Sequence, residues 1–366
     1  MLEVLSPETK NLLGMRPESI SALTIIVLDL SLPVESNQIV QLELGESGWT
    51  SLRPEEIDPF LERFETTFGE SLIVTLQDAD NDHLRLGGTS YTTAKQLAQL
   101  LGINRFNCHA PVGNSDQPSK DEGLGGVIQE RFNELITLEA GLTLTPSNHD
   151  APVPLIISFN APGEERKMVL LPGCKDEGIY PSEEANIPNT LLILDSYELA
   201  DTDSTYGKAA LAQITENPTN ILPFIGLGST RVVEQASYFI QQFAGIRPIN
   251  ISGNKEEVEL LCRVRNCSNV SELMLDLNTQ ILLETNGRNG ATIYVNFNNE
   301  VYGVSYFLPE SEIYEGDNTN AGDVFLAAVI RGLSNVDSNT DIGESLLKVL
   351  QEASTSTYNY LLVRGT

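Results

Sequence analysis

Short apolar runs and helical patterns alternate along the whole chain, strand-like then helix-like, repeatedly. The strand-like runs fall at residues 23–30 (LTIIVLDL), 71–76 (SLIVTL), 190–196 (TLLILDS), 220–227 (NILPFIGL), 281–286 (ILLETN) and 291–297 (ATIYVNF). Several are apolar at successive positions, so both of their faces need covering, as in a parallel sheet flanked by helices. Helical periodicity is read at residues 92–101, 127–136, 206–215, 230–243, 255–263, 321–333 and 342–354. The order predicts an α/β fold with a mostly parallel central sheet.

Two stretches break the rhythm. Residues 38–44 (QIVQLEL) alternate polar and apolar positions, and residues 154–171 read as two strands, PLIISFN and KMVLL, about the Gly-containing turn APGEER. Half-buried strands of this kind suit a lid over a cleft, so a β-lid is expected from segments near 33–48 and 150–172. At about 150 residues per domain the length allows two domains. With no repeat, low-complexity tract or linker-like shift in composition, residues 1–366 read as one.

Charge narrows the partners. The chain carries 22 Lys plus Arg against 51 Asp plus Glu, a net charge of −29. Nucleic acids and anionic membranes need a basic surface that releases counterions, so neither is an expected partner. Four cysteines (Cys108, Cys174, Cys262, Cys267) and three histidines are too few and too irregularly spaced for a disulfide framework or a zinc site. The first residues lack the basic start and apolar core of a signal peptide, and no apolar run approaches the ~18 residues of a membrane span, so a cytoplasmic location is expected.

The most informative segment is Glu315-Gly316-Asp317-Asn318-Thr319-Asn320-Ala321-Gly322-Asp323, followed by VFLAAVIRGL. Small and polar residues end where an apolar helical pattern begins, so backbone N–H groups of Asn320 to Asp323 should point out of a helix N-terminus, an arrangement that binds anions. An Asp in a first helical turn is also ordinary capping. Upstream, Gly87-Gly88-Thr89-Ser90-Tyr91-Thr92 leads into a helix, and Pro111-Val112-Gly113-Asn114-Ser115-Asp116 precedes another. Asn254-Lys255-Glu256-Glu257 follows PINISG, and Glu284-Thr285-Asn286-Gly287-Arg288-Asn289-Gly290-Ala291 joins two strand-like runs. Taken locally, the Gly-Gly pair is a tight turn and Glu256 and Glu257 are a solvated first-turn face.

In their order these segments resemble the ribokinase-like, or phosphofructokinase B, family of carbohydrate and nucleoside kinases. Asp317, Ala321, Gly322, Asp323 and Phe325 match that family's D-T-x-G-A-G-D-x-F signature, and the other segments match its Gly-Gly, V-G-x-D-x-x-G, N-x-x-E and T-x-G-x-x-G-A motifs. The nearest look is to adenosine kinase and inosine-guanosine kinase. The resemblance implies a three-layer α/β/α sandwich with a small β-lid. It also implies ATP-dependent phosphorylation of a hydroxymethyl group on a nucleoside or sugar, with Mg²⁺, by a monomer or homodimer. It assigns Asp323 as general base, amides of Asn320, Ala321 and Gly322 as the anion hole, and Thr285, Gly287 and Gly290 as the ATP site. Glu257 and Asn254 would place the metal, while Gly87, Gly88, Thr92 and Asp29 would meet the acceptor.

The sequence also departs from the pattern. Asn320 stands where the family has the first Gly of G-A-G, Thr92 where Asn is usual, and Asp29 lacks a preceding Gly-Asn. These departures favour a second reading, a kinase fold with weakened catalysis that binds a nucleotide or a partner. A nicotinamide-type G-x-G-x-x-G and a G-x-x-x-x-G-K-[ST] phosphate loop are both absent. Residues 310–323 hold five carboxylates and no Lys or Arg. ATP would therefore be held by amides, a helix end and Mg²⁺ rather than by a basic cradle.

Overall fold

The computed structural model of the chain describes residues 17–23, 26–44, 49–80, 83–103, 106–113, 123–139, 142–149, 152–161, 166–173, 189–314, 320–336 and 341–364. Among these residues the large sheet contains β1 (Ser19–Leu23), β5 (Phe106–Gly113), β6 (Leu142–His149), β9 (Thr190–Asp195), β10 (Ile221–Gly226), β11 (Ile249–Asn254), β12 (Thr279–Thr285), β13 (Ala291–Phe297) and β14 (Glu300–Tyr306). A smaller sheet contains β2 (Val27–Pro33), β3 (Trp49–Ser51), β4 (Leu84–Gly87), β7 (Leu155–Asn160) and β8 (Lys167–Leu171). The large sheet runs β14-β13-β12-β11-β10-β9-β1-β5-β6. It is parallel from β12 to β6, and β13 and β14 add an antiparallel edge.

Both faces of the large sheet are covered, for the reason the apolar runs foretell. On one face Leu192 and Leu194 of β9 join Ala209 of α7 (Thr205–Glu216), Phe239 and Ile240 of α8 (Val233–Ile246) and Leu261 of α9 (Lys255–Val264). On the other, Leu191 and Ile193 join Phe325 and Val329 of α11 (Ala321–Ser334), Leu346 and Leu350 of α12 (Ile342–Arg364) and Leu97 of α4 (Thr89–Leu101). Successive side chains of one strand thus enter two cores, which is a three-layer α/β/α arrangement.

The small sheet has one apolar and one polar face. Leu28, Leu30, Leu84, Leu155, Ile157 and Phe159 share the first with Phe60 and Phe64 of α2 (Pro54–Phe68) and with Leu72 and Leu76 of α3 (Leu72–Asp78). Phe68 stacks on Phe159 with ring centroids 6.2 Å apart. The second face carries Asp29, Ser31, Arg85, Gly87, Ser158 and Asn160, placed together by the register of β2 with β4 and β7.

Three expectations change. The run 23–30 is not one strand, because Leu23 ends β1 in the large sheet while β2 begins at Val27 in the small one; both strands carry buried apolar residues, such as Ile20 and Ala22 in β1 and Leu28 and Leu30 in β2, so hydropathy alone joins them. Residues 71–76 are helical, capped by Ser71, whose Oγ accepts from the Val74 N–H at 3.4 Å, and Leu72 and Leu76 bury one helical face. Residues 38–44 enter α1 (Ser36–Gln41) instead of a strand. The Glu35 N–H donates to Gln38 Oε1 at 2.8 Å in a capping box, and Ile39 and Leu42 supply the buried side. The expected hairpin at 154–171 is present as β7 and β8, paired antiparallel.

Candidate active site

The carboxyl ends of β9, β10 and β11, the N-termini of α9 and α11 and the first turn of α4 meet at one edge of the large sheet. Open α/β sheets bind ligands at such edges. Asn320 caps α11 with φ 62° and ψ 9°, the left-handed region that Asn tolerates better than other non-glycine residues. It therefore makes a turn of the kind most often made by glycine. Among the described residues, a Cβ added to Gly322 would meet nothing within 4 Å, so none of them packs against that face of the first turn of α11. Asp317, from the same signature, lies outside the described residues, as do Asn114 to Asp116.

Asp323 sits in that first turn, and its Oδ1 accepts from the Thr93 hydroxyl of α4 at 3.4 Å. Burial holds the Asp323 carboxyl well above the usual carboxylate range; the charge of Asp195 pushes the same way, and the Thr93 hydrogen bond opposes both. Asp195, at the end of β9, is 1% exposed. Its Oδ1 accepts from the Tyr197 N–H at 2.8 Å, while Oδ2 is buried with no hydrogen-bond partner among the described residues. Burial pushes the Asp195 carboxyl up to about 7, against the Tyr197 hydrogen bond and with help from the charge of Glu257. Glu198 ties this corner to α4: its Oε2 accepts from the Asp195 N–H at 2.9 Å and from the Ser90 hydroxyl at 3.4 Å.

Glu257 is 5% exposed, so it is not the solvated first-turn residue that local pattern suggests. Its Oε2 accepts from the Asn254 N–H and its Oε1 from Asn254 Nδ2, both at 2.8 Å; Asn254 Oδ1 accepts from the Glu257 N–H at 2.9 Å. This is a capping box at the start of α9, and burial raises the Glu257 carboxyl above its ordinary range. Thr285 ends β12, and Gly287 and Gly290 form the turn into β13, closed by the Asn286 N–H on the Gly290 carbonyl at 2.8 Å. A Cβ at Gly290 would lie 1.9 Å from the Tyr306 carbonyl oxygen, so backbone packing alone demands glycine there.

No family model matches the sequence, and no curated protein matches it significantly. Solved structures do match in three dimensions. A probable sugar kinase from Rhizobium etli superposes with a TM-score of 0.63 at 16% identity, covering 93% of this chain and 92% of its own. Adenosine kinase from Anopheles gambiae, solved with a diadenosine tetraphosphate, gives 0.63 at 13% identity, covering 94% of this chain and 98% of its own. Ribokinase from Thermotoga maritima gives 0.54 at 15% identity, with 93% of each chain covered. The fold is that of the ribokinase-like kinases.

Within this ribokinase-like fold the Gly-Gly segment links the small sheet to the large one. Gly88 has φ 114°, a conformation reserved for glycine, and caps α4. A Cβ at Gly87 would press on Val27 at 3.2 Å and Asp29 at 3.4 Å. Thr92 is buried in the first turn of α4. Asp29, expected to meet the acceptor, is held by its neighbours on the polar face of the small sheet. Its Oδ2 accepts from Arg85 Nε and Nη2 at 3.1 and 3.0 Å, and its Oδ1 accepts from the Ser158 hydroxyl at 3.1 Å. Sequence reading missed Thr93, Asp195 and Glu198. A polar residue closing a buried parallel strand was the available signal for Asp195.

Proposed function

We propose that the chain is an ATP-dependent phosphotransferase acting on a hydroxymethyl group of a nucleoside or a sugar. The observation that carries this reading is Asp323: a carboxyl in the first turn of α11, behind a left-handed Asn320, at the carboxyl edge of a parallel sheet in a ribokinase-like fold. In the reaction Asp323 takes the proton of the acceptor hydroxyl. The oxygen then bonds to the γ-phosphorus as the bond to the β–γ bridging oxygen breaks, and ADP leaves. Amides of Asn320, Ala321 and Gly322 would hold charge on the transferring group. Thr285, Gly287 and Gly290 would border the nucleotide. β12 lies three strands from β9, roughly 14 Å at ~4.8 Å per strand, a span that would need the whole extended nucleotide, base and ribose included, and not its triphosphate alone.

Gly87, Gly88 and Thr92 would face the acceptor; Asp29 would grip a hydroxyl only by giving up part of its bond to Arg85. The small sheet would serve as the lid, excluding water that would otherwise hydrolyse ATP. A hard divalent cation such as Mg²⁺ fits the donors at this edge, which are oxygens, with Glu257 and Asn254 as its holders. Among the described residues no three His, Cys, Asp or Glu side chains form a closed cage. That suits an ion that keeps several of its waters, and when bound it would neutralise phosphate charge. Among the described residues, too, no helix is long and apolar enough to cross a membrane.

The test is ADP formation across a nucleoside and sugar panel with Mg²⁺, beside Asp323→Asn. Turnover is expected with at least one acceptor and to fall about 10²–10⁴-fold in the variant. The rate should fall on acidification with a midpoint above the ordinary carboxylate range, because Asp323 must lose a proton that its site retains. The commitment of Asp29 to Arg85 favours one other reading, a nucleotide-binding protein with weakened catalysis. No acceptor turning over above the variant while ATP still binds would establish that reading instead.

A further inference from the structure

Asp195 is given no role by the motifs that point to the kinases, yet its neighbours fix its position closely. Strand register sets it beside Gly226 of β10, which pairs in turn with Ser252 of β11. A Cβ on Gly226 would lie 3.2 Å from Asp195 Oδ2, and one on Gly228 would lie 2.8 and 3.0 Å from its two carboxylate oxygens. Two positions without side chains thus make the space this carboxyl fills. Asp195 shares the sheet face of Ile193 and Leu191, the face covered by α11 and α4, where Asp323 and Thr93 sit. Glu257 reaches the same edge from α9 in the opposite layer, and its Oε2 would lie 3.1 Å from a Cβ on Gly253, the residue after Ser252.

Three carboxyls therefore approach one edge from two layers. Among the described residues none of the three makes an ion pair with Lys, Arg or His. A buried carboxylate is strongly disfavoured unless its charge is offset. A proton offsets one charge, whereas a divalent cation offsets two at once and accepts the unpartnered Oδ2 as an oxygen donor. Mg²⁺ is commonly held by one or two carboxylates and its own waters, as this open arrangement allows.

We propose that Asp195 supplies an oxygen, directly or through one water, to the divalent cation of this site, adding to Glu257 and Asn254. The proposal rests on the kinase reading and deepens it by one ligand. Mn²⁺ binding followed by electron paramagnetic resonance, with Mg²⁺ as competitor, tests it on the full chain without ATP or acceptor. One site is expected in the parent protein, weakened at least about tenfold in Asp195→Asn and Asp195→Ser. The exposed-residue control Asp201→Asn removes the same unit of charge and should leave affinity unchanged. Parent-like Mn²⁺ affinity in folded Asp195 variants overturns the proposal, as does a parent protein that competes for no Mn²⁺. Failure of the kinase reading looks different: Asp195-dependent Mn²⁺ binding with no ADP formation leaves the cation site standing. Turnover with Mn²⁺ affinity indifferent to Asp195 leaves the kinase standing and removes the ligand.

Discussion

The polar face of the small sheet and the carboxyl edge of the large one both bury acids, but they treat them oppositely. On the small sheet Asp29 is 8% exposed, and both of its oxygens are engaged by Arg85 and Ser158. At the large-sheet edge Asp195 is buried with one oxygen unpartnered, and its charge and that of Glu257 add to the repulsion there. The first region is closed on itself and contributes to holding the fold. The second keeps acids together without an ion-pair partner among the described residues, an arrangement more frequent where ligands are bound than where structure is held.

Charge removal should therefore act with opposite signs in the two places. The largest effect on stability is expected from Arg85→Met, which leaves Asp29 buried without its cation. A loss of about 2–3 kcal/mol is expected, read as a lower urea midpoint at unchanged slope. The double variant Asp29→Leu/Arg85→Met should recover much of it; equal losses in single and double variants would show that the pair is not a closed unit.

A smaller effect of the other sign is expected from Asp195→Asn in a chelator. The folded protein keeps a proton on Asp195 up to about pH 7, whereas in the unfolded chain that proton leaves in the ordinary carboxylate range. The folded state thus binds more protons across that window, and stability falls as pH rises through it. The Asn variant should be the more stable form at pH 8 and show a flatter decline between pH 4 and 7. A less stable Asn variant at pH 8 would mean that the carboxylate is already compensated.

The smallest effect is kinetic. Thr93→Val removes the hydrogen bond that opposes the rise at Asp323, so the acid limb of kcat/KM should move to higher pH. An unmoved limb would detach Thr93 from the base.

The contrast also explains what the sequence could disclose. Strands such as Thr190–Asp195 and Ile221–Gly226 were legible because burial on both faces leaves an unbroken apolar run. The small sheet was legible only at its hairpin. β4 has four residues and β3 three, too short for any period to emerge. The helix Pro54–Phe68 went unread although Pro54 at its start and Gly69, left-handed at φ 76°, mark both of its ends. At the site, Asp323 was legible through the change from polar turn to apolar helix. The burial of Glu257 was not, since a first-turn Glu facing inward carries the same local pattern as one facing water. Asp195 depends on glycines some thirty residues away on the next strand, a relation no window along the chain contains.

The stacking of Phe68 on Phe159 has a consequence for assembly. A five-stranded sheet with one greasy side commonly needs something to lie against it. Here α2 and α3 of the same polypeptide occupy that side, with Phe60, Phe64, Leu72 and Leu76 inserted into the shared core. Among the described residues, that side of the sheet is therefore covered from within the chain. The segment ahead of the Gly-Gly turn thus works as a built-in backing plate, covering the small sheet from behind and leaving its polar side as the one without a helix of this segment against it.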